Sequence, residues 1–311
     1  MIFLCLVICI AIISMNTRNR IIKHEARSYQ SSIYEADFFA ENLCVTNEEV
    51  EFDAFHTNDE FKGALLFDIE NKKTLFSENA NNKLYPASTT KILTAYVALK
   101  HGNLEDYVTI SETAVDVPSD SSTAHLQVGD VLSLKDLLYA LMLPSGNDSA
   151  VAIAEHISGD VATFVELMNE EAKQLGASNT HFVNPHGLHN KEHYTTAYDI
   201  YLILNELVHY NSFLSIIAMP SCDVNYVDAQ GNAKTKTFNS TNLYFGGRFK
   251  VPDGIEIIGG KTGTTNAAGC CLTLYFKSED GTSYIAEVFH APSYEVLYGK
   301  MTELMRIAAS E

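Results

Sequence analysis

The run Ile92-Leu93-Thr94-Ala95-Tyr96-Val97-Ala98-Leu99 is apolar nearly all round. A helix of that kind is buried on most sides, where an amphipathic helix would bury one face. It predicts a central helix around which the rest of the chain is layered. Upstream, Gly63-Ala64-Leu65-Leu66-Phe67-Asp68 reads as a buried strand, Asn71 and its neighbours as a turn, and Lys73-Thr74-Leu75-Phe76 as the returning strand of a hairpin. Downstream, strand-like runs occur at 222–227, 255–262, 271–276 and 284–289. The segment Tyr294 to Ala308 then sets Leu297, Met301, Leu304, Met305 and Ala308 on one stripe, the pattern of a helix packed on a sheet.

Between the strand groups the patterns are helical. Ser133-Leu-Lys-Asp136 has capping-box-like spacing before an apolar run to Leu143, where Pro144 stops the helix. Further helices are predicted over roughly 147–157 and 161–175, and one from a Thr196-Ala-Tyr-Asp199 start to about His209. Strands at both ends with helices between predict an α/β (α+β) fold, a sheet flanked by helices with an inserted all-helical lobe. Junctions of that kind commonly hold active sites.

With 46% hydrophobic and 19% charged positions in 311 residues, the chain can bury a sizeable core. Twenty-one basic against 39 acidic side chains leave a net charge of −18, which argues against a nucleic-acid partner held through its phosphates. Ile2 to Ile13 is an unbroken apolar run, too short at ~1.5 Å per residue to cross a ~30 Å bilayer core. Its length suits the apolar centre of a signal peptide, although Arg18, Arg20 and Lys23 follow it and no basic residue precedes it. Residues 1–15 are therefore expected to be a signal peptide or an N-terminal membrane anchor, with the protein acting outside the cytoplasm. Residues 16–58, polar and aperiodic, read as a linker or extension, and the folded domain as 59–311, starting near Phe61.

Of six cysteines, Cys5 and Cys9 lie inside the apolar run. Cys270 and Cys271, adjacent on a strand, would point to opposite faces, and no CxxC pair exists, so neither a zinc site nor a redox pair is indicated. A Cys44–Cys222 disulfide is left open.

Three short motifs carry the chemistry. In Pro86-Ala87-Ser88-Thr89-Thr90-Lys91, Ser88 and Lys91 stand three apart at the front of the buried helix and share a face. A lysine of ordinary pKa, about 10.4, is protonated near neutrality and cannot activate a hydroxyl unless it is desolvated or set beside another cation. Ser145-Gly146-Asn147 follows a helix end and opens the next helix; alone it is a capping loop. Gly259-Gly260-Lys261-Thr262-Gly263-Thr264-Thr265 lies on a predicted strand, where glycines let another backbone approach and the lysine and hydroxyls suit a carboxylate. A phosphate-binding P-loop is excluded, because GxxxxGK[ST] needs glycine where Ile255 stands.

In this order SxxK, SGN and KTG resemble the active-site set of the penicillin-recognising serine enzymes. The longer strings Tyr85-PASTTKILTA-Tyr96, Leu141-MLPSGNDSAVAIAEHI-Ser158, Phe164-VELMNEEAKQLGASNTHFVNPHGL-His189 and Gly260-KTGTTNAAGCCL-Thr273 are similar to D-alanyl-D-alanine carboxypeptidases. The resemblance covers roughly 61–309 and implies a β-lactamase/transpeptidase-like fold with an antiparallel sheet. It implies Ser88 as the acylated nucleophile and Lys91 as its proton acceptor, directly or through Ser145, which would relay protons to the leaving amine. Asn147 would hold Lys91 and the substrate amide, Lys261 would supply positive field and keep the pKa of Lys91 down, and Thr262 would bind the terminal carboxylate. The backbone N–H groups of Ser88 and Thr264 would form the oxyanion hole, and Gly263 and Thr264 would count with Asn147, Lys261 and Thr262 among the substrate-binding residues. The reaction implied is removal of terminal D-Ala from peptidoglycan stem peptides through an acyl-enzyme, without metal or cofactor, with β-lactams acylating Ser88 as inhibitors.

Glu166 resembles the deacylating Glu of class A β-lactamases in name only. It lies between Phe164, Val165 and Leu167 in a helical pattern and reads as a solvated helix residue, so slow β-lactam release is expected. No GxSxG or HExxH occurs, and His186 and His193 read as loop-structuring residues. The chain ends at Glu311, about 50 residues past Lys261. Neither the β-rich domain nor the amphipathic membrane helix that many relatives add is expected, which leaves residues 2–15 for membrane attachment. D,D-endopeptidase action on cross-links uses the same residues, and a non-enzymatic penicillin-sensing or wall-binding module is the rival of a different class.

Overall fold

The computed structural model describes residues 43–46, 49–51 and 61–311. The chain divides into two units, Met1–Leu43 and Cys44–Glu311. The predicted signal or anchor at 1–15 lies outside the described residues. No described helix is by itself long and apolar enough to cross a membrane.

Among the described residues, nine strands and eight α-helices follow in chain order. The first hairpin is β1 (Gly63–Asp68) and β2 (Lys73–Glu78), and α1 (Lys91–His101) is the predicted central helix. Then come β3 (Tyr107–Thr109), α2 (Glu112–Val115), β4 (Val131–Ser133), α3 (Leu134–Met142), α4 (Asn147–Ser158) and α5 (Val161–Gln174). They are followed by α6 (Ala197–Leu207), α7 (Asn211–Ile217), β5 (Ser221–Val227) and β6 (Ala233–Asn239). The chain finishes with β7 (Ile255–Thr265), β8 (Gly269–Ser278), β9 (Ser283–Ala291) and α8 (Tyr294–Ser310).

A five-stranded antiparallel sheet in the order β2-β1-β9-β8-β7 forms the middle layer. One face carries Leu66, Phe76, Leu272, Leu274, Phe276, Ala286 and Val288, which pack against Leu297, Met301, Leu304 and Met305 of α8, the predicted stripe. Cys270 belongs to this cluster and Cys271 does not, as strand alternation requires. Cross-strand partners share a face, so the register Lys261–Thr273–Glu287–Leu65–Ser77 is one row on the opposite side. That side faces the turn before α1, and α6 packs on it. The caps hold as their residue types dictate: the side chains of Ser133, Thr196 and Ser293 each accept an N–H from the first turn of α3, α6 and α8.

The fold class is the α/β architecture expected, with antiparallel sheets flanked by helices, but the inserted lobe is not all helical. A second sheet, β3-β4-β5-β6, runs through it. Its β5 is the strand expected at 222–227, whereas β3 and β4 are three residues long and β6, with Thr235 and Thr237 exposed, lacks the apolar contrast by which strands are recognised. Cys44 and Cys222 are free thiols, not a disulfide. Cys44 is buried: its N–H donates to Tyr201 Oη at 2.8 Å and its carbonyl accepts from Tyr198 Oη at 2.9 Å. The compact unit thus includes residues ahead of the boundary at 59 that polarity suggested.

Candidate active site

Ser88 does not stand on regular α-helix. Ala87–Thr90 form a 3-10 turn that runs into α1, and Ala87 has φ of 47°, a left-handed conformation costly for a side-chain-bearing residue. Two glycines make room for this turn. A Cβ on Gly187, itself at φ +89°, would lie 1.8 Å from the Ala87 carbonyl oxygen. A Cβ on Gly263 of β7 would lie 2.9 Å from the Pro86 oxygen and 3.0 Å from the Ser88 nitrogen.

Behind the turn, Thr90 Oγ1 donates to the Ala87 carbonyl at 2.8 Å and meets His193 Nε2 at 2.8 Å. The Val183 N–H donates to His193 Nδ1 at 3.1 Å, so the ring proton sits on Nε2 and is donated to Thr90. Burial pushes the His193 pKa down to about 3, which keeps this strut neutral.

Lys91, at the first position of α1, is fully buried. Its Nζ donates to Asn147 Oδ1 at 2.7 Å and to the His186 carbonyl at 2.8 Å, and lies 3.1 Å from Ser88 Oγ. Burial first, then the charge of Lys261, hold its pKa well below the ordinary lysine value, while Asp148 pulls the other way. Burial also lowers His186 to about 3, so its imidazole adds no charge.

Ser145 sits in the turn between α3 and α4 with φ of 64°. Gly146 N–H donates to Ala140 O and Asn147 N–H to Ser122 O, both at 2.9 Å. Lys261 reaches this turn from β7: its Nζ donates to Ser145 Oγ and to the Thr262 carbonyl, both at 2.9 Å, and burial lowers its pKa to about 7. Thr262 Oγ1 pairs with Thr241 Oγ1 at 2.6 Å, and Thr264 Oγ1 with Tyr294 Oη at 3.1 Å.

The structure therefore gathers Ser88, Lys91 and Asn147 into one hydrogen-bonded group, and Ser145, Lys261 and Thr262 into a second. Gly263 abuts the Ser88 backbone, and Thr264 continues the same strand with an exposed side chain. Ser88 is only part-buried, so the hydroxyl is reachable while both lysines are shut from water. Glu166 is an exposed residue of α5. Sequence reasoning missed the His186 carbonyl, Asp148, Gly187, Thr241 and Tyr294. Among these only Gly187 and Asp148 left a trace, inside the strings NPHGL and SGND. Among the described residues, no cluster of three or more His, Cys, Asp or Glu could hold a metal ion.

The D-alanyl-D-alanine carboxypeptidase family profile matches residues 19–293. The D-alanyl-D-alanine carboxypeptidase DacF of Bacillus subtilis is 35% identical over 257 residues, covering 81% of this chain and 63% of the relative. The chain spans 57% and 50% of two further curated relatives, DacA of Haemophilus influenzae and DacC of Escherichia coli. A D-alanyl-D-alanine carboxypeptidase of Streptomyces sp. is 32% identical over 75% of this chain and 81% of its own length. The crystal structure of a Streptomyces DD-transpeptidase superposes with a TM-score of 0.75 at 29% identity, covering 86% of this chain and all of that one. A sheet-and-helix scaffold, a serine and a buried lysine at its junction, and a profile match over most of the chain lead to one conclusion: this chain belongs to the D-alanyl-D-alanine carboxypeptidase family.

Proposed function

We propose that the protein is a serine D-alanyl-D-alanine carboxypeptidase that removes the terminal D-Ala of peptidoglycan stem peptides outside the cytoplasm. The observation that carries this reading is the coordination of Lys91. A neutral amine has two N–H groups and one lone pair. Asn147 Oδ1 and the His186 carbonyl can only accept, so they take the two N–H groups and leave the lone pair for the third contact, Ser88 Oγ. Ser88 then donates its hydroxyl proton to Lys91 as its oxygen attacks the peptide carbonyl.

The carbonyl oxygen becomes negative in that step, and backbone N–H groups of Ser88 and Thr264 would receive it, a donor of this kind contributing about 3 kcal/mol. Collapse of the tetrahedral species breaks the C–N bond, and the leaving amine of D-Ala takes a proton through Ser145, which Lys261 holds. Water then attacks the Ser88 ester and releases the shortened peptide. Thr262, with Thr241 behind it, offers a hydroxyl to the terminal carboxylate, and the field of Lys261 favours the same charge. β-Lactams present a strained amide and a carboxylate to the same groups and would acylate Ser88.

Labelled penicillin followed on a denaturing gel tests the reading. Wild-type protein should retain the label covalently and Ser88→Ala should not. Equal labelling of the two would overturn the assignment of the nucleophile. With cross-linked and monomeric muropeptides, free D-Ala identifies carboxypeptidase action and cleaved dimers identify endopeptidase action.

A further inference from the structure

Thr241, in the segment that joins β6 to β7, touches two elements of the site. Its N–H donates to the carbonyl of Leu143, just ahead of Pro144 and Ser145, at 3.1 Å. Its Oγ1 lies 2.6 Å from Thr262 Oγ1 on β7. The two residues differ in access: Thr262 is 9% exposed, whereas Thr241 is open to water. The segment keeps its shape through other bonds. Ser240 N–H donates to the Pro220 carbonyl at 2.8 Å, Asn242 N–H to Ser240 Oγ at 3.2 Å, Leu243 N–H to Tyr298 Oη at 2.9 Å and Tyr244 N–H to Asn242 Oδ1 at 3.1 Å. A bond between two hydroxyls, one of them within reach of water, adds little to that.

We propose that Thr241 is a substrate-binding residue in its own right: its hydroxyl and that of Thr262 each donate to one oxygen of the terminal D-Ala carboxylate. The pair holds two O–H donors, and only one of them is spent between the two oxygens. A carboxylate only accepts, and it has two oxygens to satisfy. Hydroxyl protons turn to suit their partners, so on entry of the carboxylate the proton held within the pair swings outward and both hydroxyls donate. Lys261 adds its field without a contact of this kind, since its Nζ is directed at Ser145 Oγ and the Thr262 carbonyl. Two such donors favour a peptide that ends in a free carboxylate over one that ends in an amide. The identity of the ligand rests on the carboxypeptidase reading above.

The test compares diacetyl-Lys-D-Ala-D-Ala with its C-terminal amide, by equilibrium binding to Ser88→Ala and by release of the terminal residue when Ser88 is present. Thr241→Val, equal in shape but without the hydroxyl, should reduce the preference for the acid about tenfold, and Thr241→Ser should keep it. Thr241→Ala gives the same reading if the valine variant does not fold. A segment that merely loosened would weaken both peptides alike and leave their ratio unmoved. Thr262→Val separates a direct contact from support of Thr262. If each hydroxyl serves its own oxygen, Thr241→Val combined with Thr262→Val is less selective than Thr262→Val alone. The inference is overturned by an unchanged preference in Thr241→Val, by an equal fall in Thr241→Ser, by a double variant as selective as Thr262→Val, or by no binding of the acid to Ser88→Ala. The expected binding ratios in a protein that releases no D-Ala uphold it while refuting the carboxypeptidase reading.

Discussion

At the scale of single residues, the molecule spends stability to keep two amines without a direct carboxylate partner. The folded pKa of Lys261 is about 7 and that of an unfolded lysine about 10.4. The unfolded chain therefore binds more protons between those values, and stability rises with pH across that window and is lost as pH falls through it. Lys261→Met should raise the melting temperature at pH 7, with the gain shrinking towards pH 10, while penicillin acylation falls roughly 10²–10³-fold. Thermal melts and acylation rates on the same samples check both halves. Glu287 gives a second case with the opposite sign. It is fully buried on β9, with Thr273 of β8 as its cross-strand neighbour. Burial holds its pKa well above the ordinary carboxyl value, so its stability is full below about pH 4.3 and is lost as pH rises towards the folded pKa. Glu287→Gln should melt higher than wild type at pH 8, with little difference at pH 4. Ser88, Lys91, Ser145, Asn147 and Lys261 were legible as candidates because they sit in short motifs, and the structure brings their side chains into two hydrogen-bonded groups. The His186 carbonyl was not, since any residue at that position supplies a carbonyl.

Among the elements, the long helices and the main sheet could be read in advance because burial imposes periods of 3.6 and 2 on their residues. The strands β3 and β4 are three residues long, too short for any period, and β6 is mostly exposed, so the second sheet was not foreseen. What periodicity also hides is how closely elements approach. Gly187 and Gly263 occupy the two places where neighbouring backbone leaves no room for a Cβ beside the Ser88 turn. Gly187→Ala brings overlap with the Ala87 carbonyl and a strained φ together, and is expected to cost more than about 2 kcal/mol. Because the displaced segment carries Ser88, acylation should fall more than about tenfold even in the fraction that stays folded. Urea unfolding and labelling rates read the two effects separately, and a wild-type acylation rate in Gly187→Ala would contradict the role given to that loop.

For the whole molecule, the boundary of the folded unit matters as much as its interior. Cys44 reaches two tyrosines of α6 through its backbone, and Val50 pairs with Ser77 on the edge of the main sheet. A chain begun at residue 59 leaves the Tyr201 and Tyr198 hydroxyls without those partners. It should be less stable by about 1–3 kcal/mol than one begun at Cys44, as denaturant melts would show. Polarity alone hid this, because the segment is held by backbone hydrogen bonds that leave no mark on composition. On the function proposed above, the arrangement as a whole serves one event, transfer of the Ser88 proton to a neutral Lys91 as an acyl-enzyme forms. The most direct measurement is D-alanine release from diacetyl-Lys-D-Ala-D-Ala by the wild type and by Ser88→Ala. Release by the wild type that the substitution abolishes is the expected result, and release that persists unchanged in Ser88→Ala would contradict the account.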